Sequence, residues 1–123
     1  MDPTEQKVSE LLSRYQNGER SFVELDIENG DLRGTKLADA TFENCFLTVD
    51  FRGANLRNSK FINGNIKTCD FREADLTHAH FEELAVDSTR FKGAKTKGLV
   101  FKNNYVMGQQ VNQQDFEEYF SKE

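Results

Sequence analysis

The chain has 123 residues, a formal net charge of −5 and 37% hydrophobic residues, so it suits one domain with a core of its own. With 11 Phe and no Trp, Phe must supply most of the apolar bulk. No basic, apolar leader and no apolar run of membrane-spanning length occurs, so a soluble cytoplasmic protein with no membrane contact is expected, and the two cysteines read as buried thiols rather than a disulfide.

Residues 1-18 read as a capping helix. Asp2 can cap the first free amides, Pro3 suits the first helical position, and Glu5 stands where a capping box wants a carboxylate. Val8, Leu11, Leu12 and Tyr15 then make an apolar stripe, and Gly18 marks the stop. The stripe should cover one open end of the segment that begins near Phe22.

From Phe22 a large apolar residue recurs every fifth position, through Ile27, Leu32, Leu37, Phe42 and Leu47. After one step of four it resumes with Phe51, Leu56, Phe61, Ile66, Phe71, Leu76, Phe81, Val86 and Phe91. A period of five fits neither the 3.6 of a helix nor the 2 of a strand, and points to a repeat solenoid. Two residues before most of these centres stands a small side chain, as at Val49, Ala54, Ser59, Gly64, Cys69, Ala74, Ala79 and Thr89. Each block therefore turns one bulky and one small side chain inward and leaves three positions to water.

Stacking every fourth block segregates residue types. The first face collects Leu32, Phe51, Phe71 and Phe91; the second Leu37, Leu56, Leu76 and Thr96; the third Phe42, Phe61, Phe81 and Phe101; the fourth Ile27, Leu47, Ile66 and Val86. One square turn thus takes roughly twenty residues, with turns about 4.8 Å apart. The step from Leu47 to Phe51 reads as a shortened corner with Leu47 inside; the other register puts Phe46 inside and costs Cys45 its inward slot.

Ala54-Asn55-Leu56-Arg57-Asn58 and Ala74-Asp75-Leu76-Thr77-His78 resemble the A-(D/N)-L-x-x unit of pentapeptide-repeat proteins. The resemblance runs from about Phe22 to Val106 and implies an all-β solenoid, a right-handed quadrilateral β-helix of about four turns capped by an α-helix at each end. The entry Gly18-Glu19-Arg20-Ser21-Phe22 is similar to that of cyanobacterial members. Thr96, Leu84 and Leu99 depart from the pattern. The β-helix should occupy 19-108 and a C-terminal helix 109-123, capped by Asn112 with Asp115 and packed through Phe116, Tyr119 and Phe120. That helix should close the second end; in some family members the C-terminal segment builds a dimer, so a monomer and a homodimer through the C-terminal helix are both open.

No catalytic, metal or cofactor site is expected. On the first face Asp31, Asp50 and Asp70 precede the centres and Arg33, Arg52, Arg72 and Lys92 come after them, so diagonal pairing between turns is expected. His78 and His80 lie at a corner with Asp75 and Glu82, without the enclosure a metal site needs. Cys45 and Cys69 fall in inward slots, and Ser59 and Thr89 are inward hydroxyls with no base beside them. Gly93-Ala94-Lys95-Thr96 lacks the glycines of a phosphate loop.

The last turn carries Arg90, Lys92, Lys95, Lys97 and Lys102 with no acid, and the acidic tail is expected to dock on it; a nucleic-acid site would need exposed aromatics and is not expected. Phe46, Asn65, Ala85 and Tyr105 align outside the fourth face and form the candidate surface for a protein partner, unless a terminal helix folds over them. The expected role is therefore a non-catalytic structural and protein-interaction module. The resemblance also implies an alternative, a dimeric DNA mimic that binds or protects a type II topoisomerase such as gyrase. Against it, residues 30–88 carry ten acids with seven bases interspersed.

Overall fold

A computed structural model describes all 123 residues. Helix α1 (Pro3–Gln16) opens with the expected reciprocal cap: Asp2 Oδ1 accepts from the Glu5 amide at 2.8 Å and Glu5 Oε1 from the Asp2 amide at 3.1 Å. It ends at Asn17, and Gly18 turns the chain in the left-handed region at φ +99°. Leu11 and Tyr15 are buried and Val8 and Leu12 half-buried against the first turn. The helix also serves carbonyls that have no turn beneath them. Thr4 Oγ1 donates to Glu28 O at 3.1 Å, Lys7 Nζ to Asp26 O at 2.8 Å, and Tyr15 OH to Ala38 O at 2.8 Å.

Nine short strands come next: β1 (Ser21–Val23), β2 (Asp26–Asp31), β3 (Thr41–Glu43), β4 (Phe46–Asp50), β5 (Lys60–Asn65), β6 (His80–Ala85), β7 (Val100–Lys102), β8 (Asn104–Val106) and β9 (Gln109–Val111). Parallel pairing puts Phe22, Phe42, Phe61, Phe81 and Phe101 in one register on the third face. On the fourth face Phe46 pairs with Asn65, Asn65 with Ala85 and Ala85 with Tyr105, while Ile27 pairs with Leu47. Single bridges hold the other two faces, among them Asp50 to Asp70 and Asn55 to Asp75. The result is a quadrilateral β-helix of about four turns, with every large centre from Phe22 to Phe91 buried.

Two Phe columns form the middle of the core. Phe51 stacks on Phe71 with ring centroids 5.1 Å apart and Phe71 on Phe91 at 5.2 Å; Phe61 stacks on Phe81 at 5.0 Å. Between columns the rings meet edge to face, as Phe61 and Phe71 do at 5.6 Å and Phe71 and Phe81 at 5.4 Å. The two columns come from opposite faces, and across the core their ring planes lie at 80° and 86°, so each ring presents its edge to one neighbour and its plane to the next, the arrangement aromatic quadrupoles favour.

The corners explain why the period is five. The residue two after every centre but Leu47 has a positive φ, including Glu24, Asp39, Asn58, Thr68, His78 and Ser88 as well as Gly34, Gly53 and Gly93. A left-handed residue with a side chain costs roughly 1–2 kcal/mol. In return its amide points at the next turn: Thr68 N–H donates to Asp87 O at 2.9 Å and His78 N–H to Lys97 O at 2.8 Å. The residue missing after Leu47 is such a corner. Pairing of β2 with β4 slips between Glu28 and Gly30, which leaves Asn29 opposite nothing, and its amide donates instead to Thr48 Oγ1 at 2.8 Å. Leu47 is buried and Phe46 is 51% exposed, as the preferred register requires.

The two large residues in small slots are accommodated. Leu84 is buried in register with Gly64, and a Cβ on Gly64 would stand 2.5 Å from the carbonyl oxygen of Cys45. Leu99 is buried at the last corner, and Thr96 is half-buried in the centre slot it takes over.

The C-terminal segment departs from a simple helix over 109-123. Met107 and Gly108 both have positive φ, which suits a two-residue hairpin loop, and β9 returns antiparallel beside β8. Helix α2 (Gln113–Glu118) and a 3₁₀ turn (Phe120–Lys122) complete the chain. Asp115 accepts from the Asn112 amide at 2.8 Å, but Asn112 Oδ1 accepts from the Asn103 amide at 2.7 Å and so ties the helix to the last turn. Phe116 packs 5.1 Å from Phe91 and 5.1 Å from Phe101, and Phe120 5.3 Å from Phe101. Phe120 packs as expected, but Tyr119, expected on the same face, is 62% exposed, because α2 ends before it. Asn104, fully buried, completes the closure: it accepts from the Leu84 amide and donates to Phe81 O, each at 3.0 Å.

Replacing Phe61 or Phe81 by Ala should destabilise the protein by about 3–5 kcal/mol, the range for a buried Phe, as read from urea unfolding. A Gly64→Ala chain should lose about 1–3 kcal/mol in the same assay, because the neighbour its Cβ meets is backbone.

Candidate interaction faces

The fourth face carries the expected file. β4, β5, β6 and β8 place Phe46, Asn65, Ala85 and Tyr105 one above another, with Phe46 51% and Tyr105 36% exposed and Asn65 and Ala85 between them half-buried. α1 packs against β2, and α2 against β7 and β9, so neither helix lies over the file. One member was not anticipated: Met107, 88% exposed, continues the apolar surface beside Tyr105, where its amide donates to Asp87 Oδ2 at 3.0 Å. A residue after the last repeat has no pattern to mark it as outward.

Charge organises the first face, where the expected diagonal pairs are present but secondary to pairs within a turn. Each arginine forks onto the aspartate of its own turn: Arg33 on Asp31 at 2.9 Å, Arg52 on Asp50 and Arg72 on Asp70 each at 2.7 Å. The diagonal contacts Arg33–Asp50 and Arg52–Asp70 are longer, at 3.9 and 3.8 Å. Each aspartate also accepts the amide of its own arginine, at 3.0 to 3.1 Å, which turns the carboxylate toward its own turn.

These contacts lower the aspartate pKa values. Arg33, through its side chain and then its amide, takes Asp31 down to about 2. Arg52, chiefly through its side chain, lowers Asp50. Burial works to raise Asp70, but the hydrogen bonds and charge of Arg72 outweigh it and the net direction is down. Burial is likewise outweighed at Asp75, which takes a hydroxyl bond from Thr77 and lies 3.3 Å from Arg57.

The histidines do not converge. His80 Nε2 lies 2.8 Å from Glu82 Oε1, which also faces Lys102 at 3.6 Å, while the His78 ring lies beneath the backbone of Gly98. Cys45 and Cys69 are buried in separate slots; burial raises both thiols, Cys69 up to about 12, and Cys69 Sγ donates to Leu47 O at 3.2 Å. Ser59 is buried with its hydroxyl unpartnered, and the Thr89 hydroxyl donates to Val86 O at 2.8 Å.

The acidic tail does dock on the last turn, though not by charge. Its contacts there are the rings of Phe116 and Phe120, the side-chain oxygens of Asn112 and Gln113, which accept from the amides of Asn103 and Phe101, and the main-chain oxygen of Glu123, which accepts from the amides of Phe91 and, at 2.7 Å, Lys92. None of Asp115, Glu117, Glu118 and Glu123 pairs with a cation of that turn. The Phe residues find a matching apolar end to the core, whereas solvated ion pairs would add little.

Residues 35–111 match the family described as pentapeptide repeat region, more than half of the chain. The chain belongs to the pentapeptide-repeat family. Among solved pentapeptide-repeat structures it is similar to HetL, from the cyanobacterium Nostoc sp. strain PCC 7120, involved in heterocyst differentiation regulation: TM-score 0.58 and 20% identity over 78% of this chain and 43% of HetL. It is also similar to QnrB1, a plasmid-mediated fluoroquinolone resistance protein, with TM-score 0.57 and 18% identity over 72% of this chain and 44% of QnrB1. The pentapeptide-repeat chain thus spans less than half the length of either, and at this identity the likeness is one of fold. No curated protein sequence matches it. No helix is long and apolar enough to cross a membrane.

The aspartate file sets a pH dependence for this pentapeptide-repeat domain. Carboxyls whose folded pKa is depressed stabilise fully above the unfolded value, near 3.9, and lose that contribution as pH falls through the folded value. Stability measured by urea midpoint should therefore decline between about pH 4 and about pH 2. An Arg52→Gln, Arg72→Gln chain should show a shallower decline over that interval, because Asp50 and Asp70 then titrate nearer their unfolded values.

Proposed function

We propose that this pentapeptide-repeat domain is a non-catalytic interaction module of the cytoplasm that holds a protein partner against its fourth face, through Phe46, Asn65, Ala85 and Tyr105. The observation that carries the reading is the pair of exposed aromatic rings on one parallel file that neither terminal helix covers. Aromatic anchors within a polar rim, here Glu28, Thr48, Lys67 and Asp87, are the usual composition of a protein interface. Backbone hydrogen bonds hold the file rigid before any partner arrives, which lowers the entropy cost of docking. We propose a monomer, because Phe116 and Phe120 of the C-terminal segment are already packed on Phe91 and Phe101.

The likeness to QnrB1 favours one second reading, a dimer that imitates duplex DNA toward a type II topoisomerase. Arg33, Arg52 and Arg72 weigh against it, since they neutralise the aspartates that would stand for phosphates. Affinity capture from native lysate, with a Phe46→Ser, Tyr105→Ser chain in parallel and light scattering of both, separates the readings. The docking reading expects a monomer whose specific partner is lost by the double substitution. Capture unaffected by the substitution overturns it, and a dimer that captures a topoisomerase replaces it with mimicry.

A further inference from the structure

The last turn is left with cations that nothing in the chain neutralises. Arg90 and Lys92 stand outside the first face and Lys95 and Lys97 outside the second, all four exposed and none within 4.0 Å of a carboxylate. The acids of the turn below are engaged elsewhere. Asp70, in register with Arg90, is held by Arg72, and Asp75, in register with Lys95, by Thr77 and Arg57. Glu73 lies under the backbone of Gly93, and the tail acids form no ion pair here. The aspartate file of the first face stops at Asp70 because Arg90 takes the next position, so the forks of the lower turns have no counterpart at this one.

We propose that this corner of the last turn docks an extended acidic segment of another polypeptide. Cations two residues apart on an extended face stand about 6.6 Å apart, and alternate side chains of an extended peptide recur at the same spacing. Gly93 and Gly98 themselves carry no side chain and are exposed; the Glu73 carboxylate and the His78 ring lie against them from the turn below, so an extended chain would approach from the open side of the last turn. A single-stranded nucleic acid would need aromatic platforms, and the one aromatic of this stretch, Phe91, is buried. The surface is separate from the Phe46–Tyr105 file and does not depend on it.

The test is fluorescence anisotropy of a labelled peptide of alternating Glu and Ser, at about 50 mM salt, where screening is weak. The full chain should bind it, and the Arg90→Gln, Lys92→Gln, Lys95→Gln, Lys97→Gln chain should bind about tenfold more weakly. A Lys36→Gln, Lys60→Gln, Lys67→Gln chain and the Phe46→Ser, Tyr105→Ser chain should keep the affinity. None of the four cations has an ion-pair partner to lose, so circular dichroism and urea midpoint should be unchanged in the fourfold variant. No binding of the peptide, an equal loss in the Lys36/Lys60/Lys67 variant, or tighter binding of a short DNA duplex would each overturn the assignment, the last in favour of a nucleic-acid surface.

Discussion

Each turn of this molecule must lie directly on the one below, because its backbone amides and carbonyls find their partners in the adjacent turns. Leu56 N–H donates upward to Asp75 O at 2.9 Å, and Asp75 N–H donates downward to Ala54 O at 2.9 Å. Unpaired backbone groups are costly wherever water is excluded, so the path of one turn dictates the path of the next. Square corners result, each with a left-handed residue whose own amide joins the ladder. The single omitted corner shows how local the constraint is: Thr48 Oγ1 supplies one acceptor and the stack continues through Val49 and Asp50.

Stacked turns touch only their neighbours, so stability accumulates along the rod and the two ends need closure of a different kind. The lower end uses a helix whose Thr4, Lys7 and Tyr15 reach the rim carbonyls while Leu11 and Tyr15 cover the core. At the upper end a hairpin strand, the buried amide of Asn104 and the rings of Phe116 and Phe120 divide the same task. Because both helices are committed to the ends, the flat faces stay open. A fold that holds outward side chains at fixed spacing on flat, open faces can display them to a partner.

The charge pattern arises from the same geometry. Residues before and after a buried centre point outward on the same face, so an aspartate and an arginine in those places meet within a turn before they meet between turns. Three turns obey this and are locally neutral; the fourth, with Arg90 in the aspartate position, is not. Surface character therefore changes along one face without any change in the fold beneath it.

The period of five, the inward columns and the place of the missing residue were legible in the sequence, because a solenoid repeats one local environment and each inward slot selects by size. The helix start was legible too, since Asp2, Pro3 and Glu5 are close in sequence. Left-handed corners were hidden, as Glu24, Thr68 and His78 carry no glycine signature and are held there only by the turn above. Tertiary structure alone decided that each arginine forks within its own turn, that Met107–Gly108 reverses the chain into β9, and that Tyr119 is left off the packed face. It also decided that the tail docks by rings and hydrogen bonds, leaving Arg90, Lys92, Lys95 and Lys97 without an ion pair. A repeat constrains what recurs; its ends and the rotamers of its outward side chains occur once, and only packing in space selects among them.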